Sequence, residues 1–504
     1  MNAYLLYPSS SIEGKQAWYS RRDIIKDLNL DIIFRTMSGG DPFVAENVQK
    51  VMMIPLQSPE EILYRQDIIK DLCEQPDLME QLYEYAENQN KSLQLYKEEI
   101  ENSRTRSTYK TGETIQTIRF LQKAVASLIS LRNLLAGRCT SYQSKGLRAL
   151  RQRLQEESFE RYAEKLQEMD VFVTGGKINY FFQFGGGMKL DHATVTSYEK
   201  SNPSEKQTGL ERLFYRYIRK NTIYINNEPL HKDVEHLKEV TAQSILNIFQ
   251  PVLDKILVFY RTFAEEIAFY KGAVRFINHM QALSIPLFFP KPRPAGTKDT
   301  SFQYLYELSM AIYLQACPVG NTVRWENNSL TIITGANQGG KSTFLRSYGI
   351  AQVLMQCGMP VPAQKFSAPV YRQLFTHFTR SEDEQLSSGR LREELHRMSQ
   401  MIKAAVPDSL FLLNESFAST TEKEGSQIAE GILKAFYENG ITTYMVTHLV
   451  YLAQKLYREH WERSCFLTAE RKEDGERTFR MVPGEPGHTS FGTDLFYQAL
   501  GSEE

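Results

Sequence analysis

The stretch that decides the fold class of the C-terminal part of this chain is residues 330–343, LTIITGANQGGKST. Its first five residues are apolar or β-branched and predict a buried strand, and the residues that follow position 343 have a helical pattern. Between them, residues 335–342 fit the pattern G-x-x-x-x-G-K-[ST]. Its glycines let backbone N–H groups close on phosphate oxygens at a helix N-terminus. The sequence therefore predicts a phosphate-binding P-loop (residues 335–342), with Lys341 reaching the β- and γ-phosphates of ATP and Ser342 ligating Mg²⁺.

A second segment supplies the acidic strand end that a nucleotide hydrolase needs. Residues 409–413 are mostly apolar and predict a central strand, which presents Asn414 and Glu415 at its C-terminal end, where α/β sheets bind ligands. Glu415 is the expected general base for the attacking water. Asn414 stands where an aspartate is usual, and its carbonyl can accept a hydrogen bond from a Mg²⁺-bound water without adding negative charge. We therefore expect weaker Mg²⁺ binding and slow turnover.

Two further motifs accompany the P-loop and the acidic strand end in the sequence. Ser387, Ser388 and Gly389 precede a helical pattern and resemble the L-S-G-G-Q motif of ABC-type ATPases, which closes on nucleotide bound to the opposite subunit. A strand pattern over residues 442–446 ends at Thr447 and His448. A lone histidine at a strand end is usually structural, but the order of the motifs favours a role for His448 in sensing the γ-phosphate.

The complete set of motifs resembles the MutS family of mismatch-repair ATPases, a branch of the ABC superfamily. Residues 334–343, TGANQGGKST, are similar to the family's T-G-P-N-M-G-G-K-S-T, and residues 356–363, QCGMPVPA, look like Q-x-G-x-x-V-P-A. Residues 415–425 keep the family's spacing from acid to glycine, and Gly484 with residues 490–492 resembles the late glycine and S-Y-G. The resemblance implies a homodimer, ATP-gated clamp motions and DNA as the partner.

The resemblance also implies roles for individual residues. Asn337 would contact the γ-phosphate, and Leu391 occupies the position of the family's trans-acting serine, so we assign the trans contact to Ser387 and Ser388. Glu415 and His448 are the predicted catalytic residues, and Asn414 is predicted to lie in the second shell of the metal. The predicted nucleotide-binding residues are Gly335, Asn337, Gly339, Gly340, Lys341, Ser342, Thr343, Ser387, Ser388 and Gly389.

Upstream of the P-loop the predicted secondary structure changes twice, from helices to strands and back to helices. Residues 52–72, MMIPLQSPEEILYRQDIIKDL, look like the start of the family's helical core, with Ser58 as a capping residue and Pro59 at the first helical position. Residues 171–173, 178–184 and 222–225 are aromatic or β-branched runs that predict strands. The predicted segments are an N-terminal segment (1–50), a helical core (51–168), a β-rich insert (169–230), lever helices (231–282) and an α/β P-loop ATPase domain of ABC type (283–504).

Candidate DNA contacts are few, and they have a competing structural interpretation. Basic and aromatic residues interleave over residues 212–220, where cations can neutralise phosphates and rings can stack on unpaired bases. A second cluster lies within residues 148–153. Solvated helix faces are the more usual explanation of both patterns. The candidates are Arg212, Tyr215, Arg216, Arg219 and Lys220 in the first cluster, and Arg148, Arg151 and Arg153 in the second.

Mismatch-binding members of the family carry an N-terminal domain with an F-x-E wedge. About 50 residues precede the helical core here, and no F-x-E occurs among them. We therefore expect a short member of the family without direct mismatch recognition.

The composition of the chain limits the classes of protein to which it can belong and the compartment in which it is expected. The chain has 504 residues, with 59 Lys and Arg against 60 Asp and Glu, which excludes a histone-like polycation. Five widely spaced cysteines favour a reducing compartment, and neither a leader nor an 18-residue apolar run is apparent. These features predict a cytoplasmic protein that does not span a membrane.

The sequence leaves three functions open. The first is a dimeric, DNA-binding, MutS-like ATPase in DNA repair or recombination that acts on double-stranded or branched DNA. The second is a nucleotide-gated protein-assembly factor without DNA binding. The third is a switch that binds ATP without hydrolysing it, which Asn414 suggests.

Overall fold

The structure is a computed structural model that describes residues 3–10, 12–106, 110–136, 142–156, 158–174, 177–184, 190–199, 228–379, 389–472 and 476–487. The chain divides into two compact units. The helical unit comprises residues 1–3, 84–141 and 149–264, and the P-loop unit comprises residues 4–83, 142–148 and 265–504. This division groups the predicted segments differently, and the boundaries of those five segments remain a prediction.

The helices of the described residues are α1 (Arg21–Asp27), α2 (Leu30–Ser38), α3 (Pro42–Met52), α4 (Pro59–Glu74), α5 (Pro76–Arg106), α6 (Lys110–Ala136), α7 (Lys145–Glu156), α8 (Phe159–Thr174), α9 (Glu228–Ala282), α10 (Leu308–Leu314), α11 (Lys341–Gln356), α12 (Arg390–Ala404), α13 (Glu422–Glu438) and α14 (Val450–Glu459). The strands are β1 (Lys177–Phe184), β2 (Leu190–Glu199), β3 (Lys291–Arg293), β4 (Thr300–Leu305), β5 (Asn321–Trp325), β6 (Leu330–Thr334), β7 (Lys365–Pro369), β8 (Leu374–Phe378), β9 (Leu410–Asn414), β10 (Thr442–Val446), β11 (Ser464–Arg471) and β12 (Arg477–Pro483).

The helical unit is organised around α6, whose apolar residues recur every three or four positions. This spacing places them on one face, and the residues on it are buried: Ile118, Leu121, Val125, Leu128, Leu131 and Leu135. A buried hydrogen bond from the Tyr260 hydroxyl to Ser127 Oγ, 2.7 Å long, ties α9 to α6 within this unit. The β1–β2 hairpin is antiparallel.

One prediction for this part of the chain was wrong in detail. Residues 171–173 belong to the last turn of helix α8 instead of forming a strand, because adding residues to an existing helix is far easier than starting a new element. The strand predicted at residues 178–184 is confirmed as β1, and residues 222–225 lie outside the described residues.

Helix α4 of the P-loop unit begins where the sequence predicts. Ser58 Oγ accepts a hydrogen bond from the Glu61 amide at 3.2 Å, and Pro59 occupies the first helical position. Residues 1–50, for which the sequence predicted no elements, contain α1, α2 and most of α3.

The P-loop domain contains a six-stranded sheet in the order β12-β11-β6-β10-β9-β8. Strands β11, β6, β10, β9 and β8 are parallel and only the edge strand β12 of this sheet runs antiparallel, as is usual for an α/β domain. Because parallel strands end at one edge, the loops after β6, β8, β9 and β10 lie together there. A second, four-stranded sheet, β3-β7-β4-β5, was not predicted.

No helix in the described part of the chain is both long enough and apolar enough to cross a membrane.

Candidate functional site

The P-loop connects the fully buried strand β6 to helix α11, as the sequence predicts. Gly335 has φ of 119°, and a side chain there would place its Cβ 2.8 Å from the Ala469 amide nitrogen of β11. Gly340, with φ of 91°, is the N-cap residue of α11. Both positions require glycine, since L-residues avoid these positive φ values. The loop therefore presents backbone N–H groups at a helix N-terminus, an arrangement suited to phosphate.

Lys341 is the first residue of α11, and its side chain lies along the loop. Its Nζ donates hydrogen bonds to the carbonyl oxygens of Gly335 at 2.8 Å and Ala336 at 3.0 Å. The residue is only 4% exposed, and burial lowers its pKa, while the nearby Glu415 carboxylate opposes that shift. The ammonium group is thus held at the mouth of the phosphate loop in a partly desolvated position, where its charge acts strongly.

Ser342 and Asn414 are brought into direct contact. The Ser342 hydroxyl donates a hydrogen bond to Asn414 Oδ1 at 2.7 Å, which joins α11 to the end of β9. Thr379, just after β8, donates to the Asn414 carbonyl oxygen from its amide at 3.2 Å and from its hydroxyl at 3.1 Å. These contacts place the Asn414 amide group beside the P-loop serine, the position in which a metal-associated side chain is expected.

The residues fit a magnesium ion that binds together with a nucleotide. In the described residues, no group of three or more His, Cys, Asp or Glu side chains could hold a metal ion. Mg²⁺, however, binds commonly through one or two protein oxygens, water and substrate phosphates. Ser342 Oγ provides an oxygen of the required hardness, and Asn414 Oδ1 can accept a hydrogen bond from a metal-bound water without adding negative charge.

Glu415 and His448, the two residues predicted separately to be catalytic, contact each other. Their side chains are linked by a hydrogen bond of 3.0 Å between His448 Nε2 and Glu415 Oε1. This bond, together with the charges of His448 and Lys341, lowers the pKa of Glu415 in spite of its partial burial. The Glu415 amide also donates to the Val446 carbonyl oxygen at 2.9 Å, which fixes the residue between β9 and β10. Glu415 is therefore ionised at neutral pH and can accept hydrogen bonds from water.

The loop that follows β9, here called the Glu415 turn (residues 415–419), is held from several sides. Glu415 and Phe417 have φ of 56° and 66°, values that non-glycine residues rarely adopt. The Ser416 hydroxyl donates to the His377 carbonyl oxygen at 3.0 Å and lies 2.7 Å from His377 Nδ1. Burial, followed by the charge of Arg397, lowers the pKa of His377 to about 4, so that this histidine is neutral at physiological pH.

A cavity of about 390 Å³ opens beside the P-loop. Lys341, Ser342 and Glu415 contribute to its polar side. Apolar side chains also line the cavity, among them Met310, Leu314, Val319 and Phe479. Such a combination of a phosphate cradle and an apolar wall, in a volume within the usual range for ligand sites, suits a nucleotide.

The structure places the predicted site residues as follows. Gly335, Asn337, Gly339, Gly340, Lys341, Ser342 and Thr343 form the P-loop and the start of α11, and all of them except Gly335 line the cavity. Gly389 is the N-cap residue of α12, whereas Ser387 and Ser388 lie outside the described residues. Assignments to individual roles in binding or catalysis remain predictions.

The candidate DNA contacts are only partly described. The cluster at residues 212–220 lies outside the described residues. On α7, Arg153 donates to the Ala3 carbonyl oxygen at 2.8 Å, and Arg148 donates to that of Ser144 at 3.3 Å. Both side chains thus have structural partners, and their contact with DNA remains a prediction.

Sequence reasoning missed Thr379, His377 and Glu394. Thr379 follows a strand parallel to β9, so the common edge of the parallel strands was a signal that could have identified it. The other two contact the Glu415 turn only through tertiary packing, and no local pattern indicates them.

Comparison with known families agrees with this geometry. Residues 57–283 match the model of the MutS2 N-terminal domain, and residues 331–498 match that of MutS domain V. The chain is 29% identical over 178 residues to Endonuclease MutS2 of Streptococcus thermophilus, an alignment that covers 34% of this chain and 22% of the relative. It is 30% identical over 181 residues to DNA mismatch repair protein MutS of the same species, covering 34% and 21%, respectively.

A third relative is DNA mismatch repair protein MutS of Thermotoga sp. strain RQ2, with 31% identity over 172 residues, 33% of this chain and 21% of the relative. The alignments thus span about a fifth of the length of these curated relatives. The two family models together extend over most of the chain and include the P-loop, the end of β9 and the end of β10. On this basis, and with its motifs assembled at one sheet edge, the chain belongs to the MutS family.

Proposed function

We propose that this chain binds ATP with Mg²⁺, hydrolyses it slowly, and uses the nucleotide state to control binding to DNA as a homodimer. The observation that carries the proposal is the meeting of Lys341, Ser342 and Glu415 around one cavity with an apolar wall. Each of these side chains has a chemical task in phosphoanhydride hydrolysis, and tertiary contacts hold each of them in place.

The residues act in the following order. Backbone N–H groups of the P-loop and the Lys341 ammonium bind the phosphates. Bound Mg²⁺ would neutralise phosphate charge, and Ser342, fixed by Asn414 at 2.7 Å, is positioned to hold it. The Glu415 carboxylate orients a water and accepts its proton, while His448, 3.0 Å from Glu415, orients that carboxylate.

DNA as the partner rests on the family and on the names of the relatives, DNA mismatch repair protein MutS and Endonuclease MutS2. The proposal of a homodimer rests on the resemblance of residues 387–389 to the L-S-G-G-Q motif, which contacts nucleotide on the opposite subunit in ABC-type ATPases. These relatives differ in name and are nearly equally similar to this chain, so the class of DNA structure is left to experiment.

The test combines hydrolysis with DNA binding. Phosphate release is measured with and without Mg²⁺, and binding to homoduplex, mismatched and branched DNA is measured by fluorescence anisotropy with and without ATP. A DNA-binding protein loses affinity steeply with salt, by roughly 0.9 logarithmic units per neutralised phosphate for each tenfold increase in salt. ATP hydrolysis without salt-dependent DNA binding would instead favour the nucleotide-gated protein-assembly factor.

A second candidate function is an ATP-binding switch that does not hydrolyse ATP. The observation that favours it is the Ser342–Asn414 contact, in which an uncharged amide stands beside the serine expected to hold the metal. ATP binding without phosphate release in single-turnover experiments would support the switch and contradict the hydrolase.

A further inference from the structure

Glu394 is a buried carboxylate on helix α12, and the proposed chemistry does not yet account for it. It is 9% exposed, and its Oε2 accepts hydrogen bonds from the Phe417 amide at 3.1 Å and the Ser419 hydroxyl at 3.0 Å. Both donors belong to the Glu415 turn. The carboxylate thus binds the backbone only two residues beyond the proposed general base.

The Glu415 turn needs external support because its backbone is strained. Positive φ at a non-glycine residue costs roughly 1–3 kcal/mol and persists only where the surroundings enforce it. Both Glu415 and Phe417 have positive φ. Strand β10 supports the first through the Val446 carbonyl, whereas Glu394 supports the second.

Helix α12 also contacts the neighbouring strand end. One turn after Glu394, Arg397 donates to the carbonyl oxygen of Phe378, the last residue of β8, at 3.4 Å. One face of helix α12 therefore contacts both the end of β8 and the Glu415 turn. The same helix begins directly after Gly389, its N-cap residue.

We propose that Glu394 is a positioning residue, which holds the Glu415 turn from helix α12 and so orients the proposed general base. The proposal rests on the proposed ATPase function of the same site. Turnover then depends on Glu394, whereas ATP binding at the P-loop does not.

The test uses two substitutions that separate hydrogen bonding from charge. Glu394→Leu removes the acceptor and leaves the Phe417 N–H unpaired, and we expect kcat at saturating ATP to fall about tenfold to a hundredfold, a range typical of a misplaced catalytic group. Glu394→Gln keeps an acceptor oxygen, so its kcat should stay within about threefold of the parent value, because a single oxygen accepts both bonds. The dissociation constant for ATP, measured by calorimetry, should change less than about twofold in both variants.

A matched control is Glu438→Gln, which makes the same chemical change at an exposed carboxylate of α13 and should leave kcat unchanged. Ser419→Ala removes one of the two bonds to Glu394 and should give an intermediate kcat. Unchanged kcat in Glu394→Leu would overturn the proposal. A parallel loss of kcat and ATP affinity in Glu394→Leu would do the same, since it would indicate general structural damage.

A second measurement is independent of hydrolysis. Hydrogen exchange of a peptide that spans residues 415–421 should be faster in Glu394→Leu than in the parent, whereas exchange in the P-loop peptide should be unchanged. Failure of the parent to release phosphate contradicts the proposed function alone, because the exchange experiment still tests the contact. Unchanged exchange at residues 415–421 contradicts the role of Glu394 whether or not the parent hydrolyses ATP.

Discussion

Replacing Glu415 with glutamine removes a charge while it keeps the shape of the side chain. The glutamine amide oxygen can still accept the hydrogen bond from His448, and the backbone bond to the Val446 carbonyl is unaffected. The Glu415 side chain is 36% exposed, so the lost charge contributes less than about 1 kcal/mol to stability. We therefore expect a folded protein whose melting temperature is close to that of the parent.

The effect of Glu415→Gln on catalysis should be much larger than its effect on stability. A positioned general base typically contributes about 10²- to 10⁴-fold, which corresponds to roughly 2.7–5.4 kcal/mol of barrier at 1.36 kcal/mol per tenfold. We expect kcat to fall by that factor while ATP affinity stays within about threefold, because the P-loop and Lys341 remain intact. The assay is single-turnover phosphate release, combined with calorimetric titration of ATP and Mg²⁺.

The variant should also accumulate the ATP-bound state. In the proposed homodimer, ATP that is not hydrolysed holds the two P-loop units together, which size-exclusion chromatography with ATP and Mg²⁺ would detect as an increased dimer fraction. Glu438→Gln is the matched control. If Glu415→Gln hydrolyses ATP as fast as the parent, Glu415 is not the base, and the assignment of the end of β9 as the catalytic edge is wrong.

The remaining predictions concern the metal, the pH profile and the DNA. Asn414→Asp keeps the acceptor for the Ser342 hydroxyl and adds a negative charge near the expected metal. Half-saturation by Mg²⁺ should therefore occur at a roughly tenfold lower concentration, a difference of about 1.4 kcal/mol in binding free energy. An unchanged Mg²⁺ titration would contradict the placement of Asn414 beside a water bound to the metal. His448→Ala removes the hydrogen bond that lowers the pKa of Glu415, so the pKa of Glu415 should rise and the acid limb of the pH profile of kcat should move to higher pH. An acid limb that stays in place or moves to lower pH would contradict a role for His448 in keeping Glu415 ionised. A single mispair in linear duplex should change DNA affinity by less than about tenfold, and a larger preference in anisotropy titrations would show that this chain reads the base directly.

Motifs that lie within a short stretch of chain were predictable. The P-loop and the strand ends at Asn414 and His448 are each local patterns, in which an apolar strand leads into a candidate site residue. The parallel order of strands then brings these ends together, so the main side chains of the site followed from sequence alone. The helix cap at Ser58 is local for the same reason, because its partner is three residues away.

Contacts between distant segments could not be predicted in this way. Glu394 lies 23 residues from Phe417, and its role depends on how α12 packs against the sheet. Likewise, β3 pairs with β7 across more than 70 residues, so no local period indicates the four-stranded sheet. The burial of Lys341 against two loop carbonyls also depends on the geometry of the loop, which no local sequence pattern indicates.

The most direct test of the central claim, that this P-loop binds Mg²⁺-ATP, is a calorimetric titration of ATP into the parent and into Lys341→Met. Methionine keeps much of the buried aliphatic stem but removes the ammonium group that lies beside the Gly335 and Ala336 carbonyls. We expect saturable ATP binding to the parent and at least a hundredfold weaker binding, or about 2.7 kcal/mol, in the variant. Circular dichroism should show that both proteins are folded. Equal ATP affinity in two folded proteins would contradict the claim, since Lys341 would then have no part in binding phosphate.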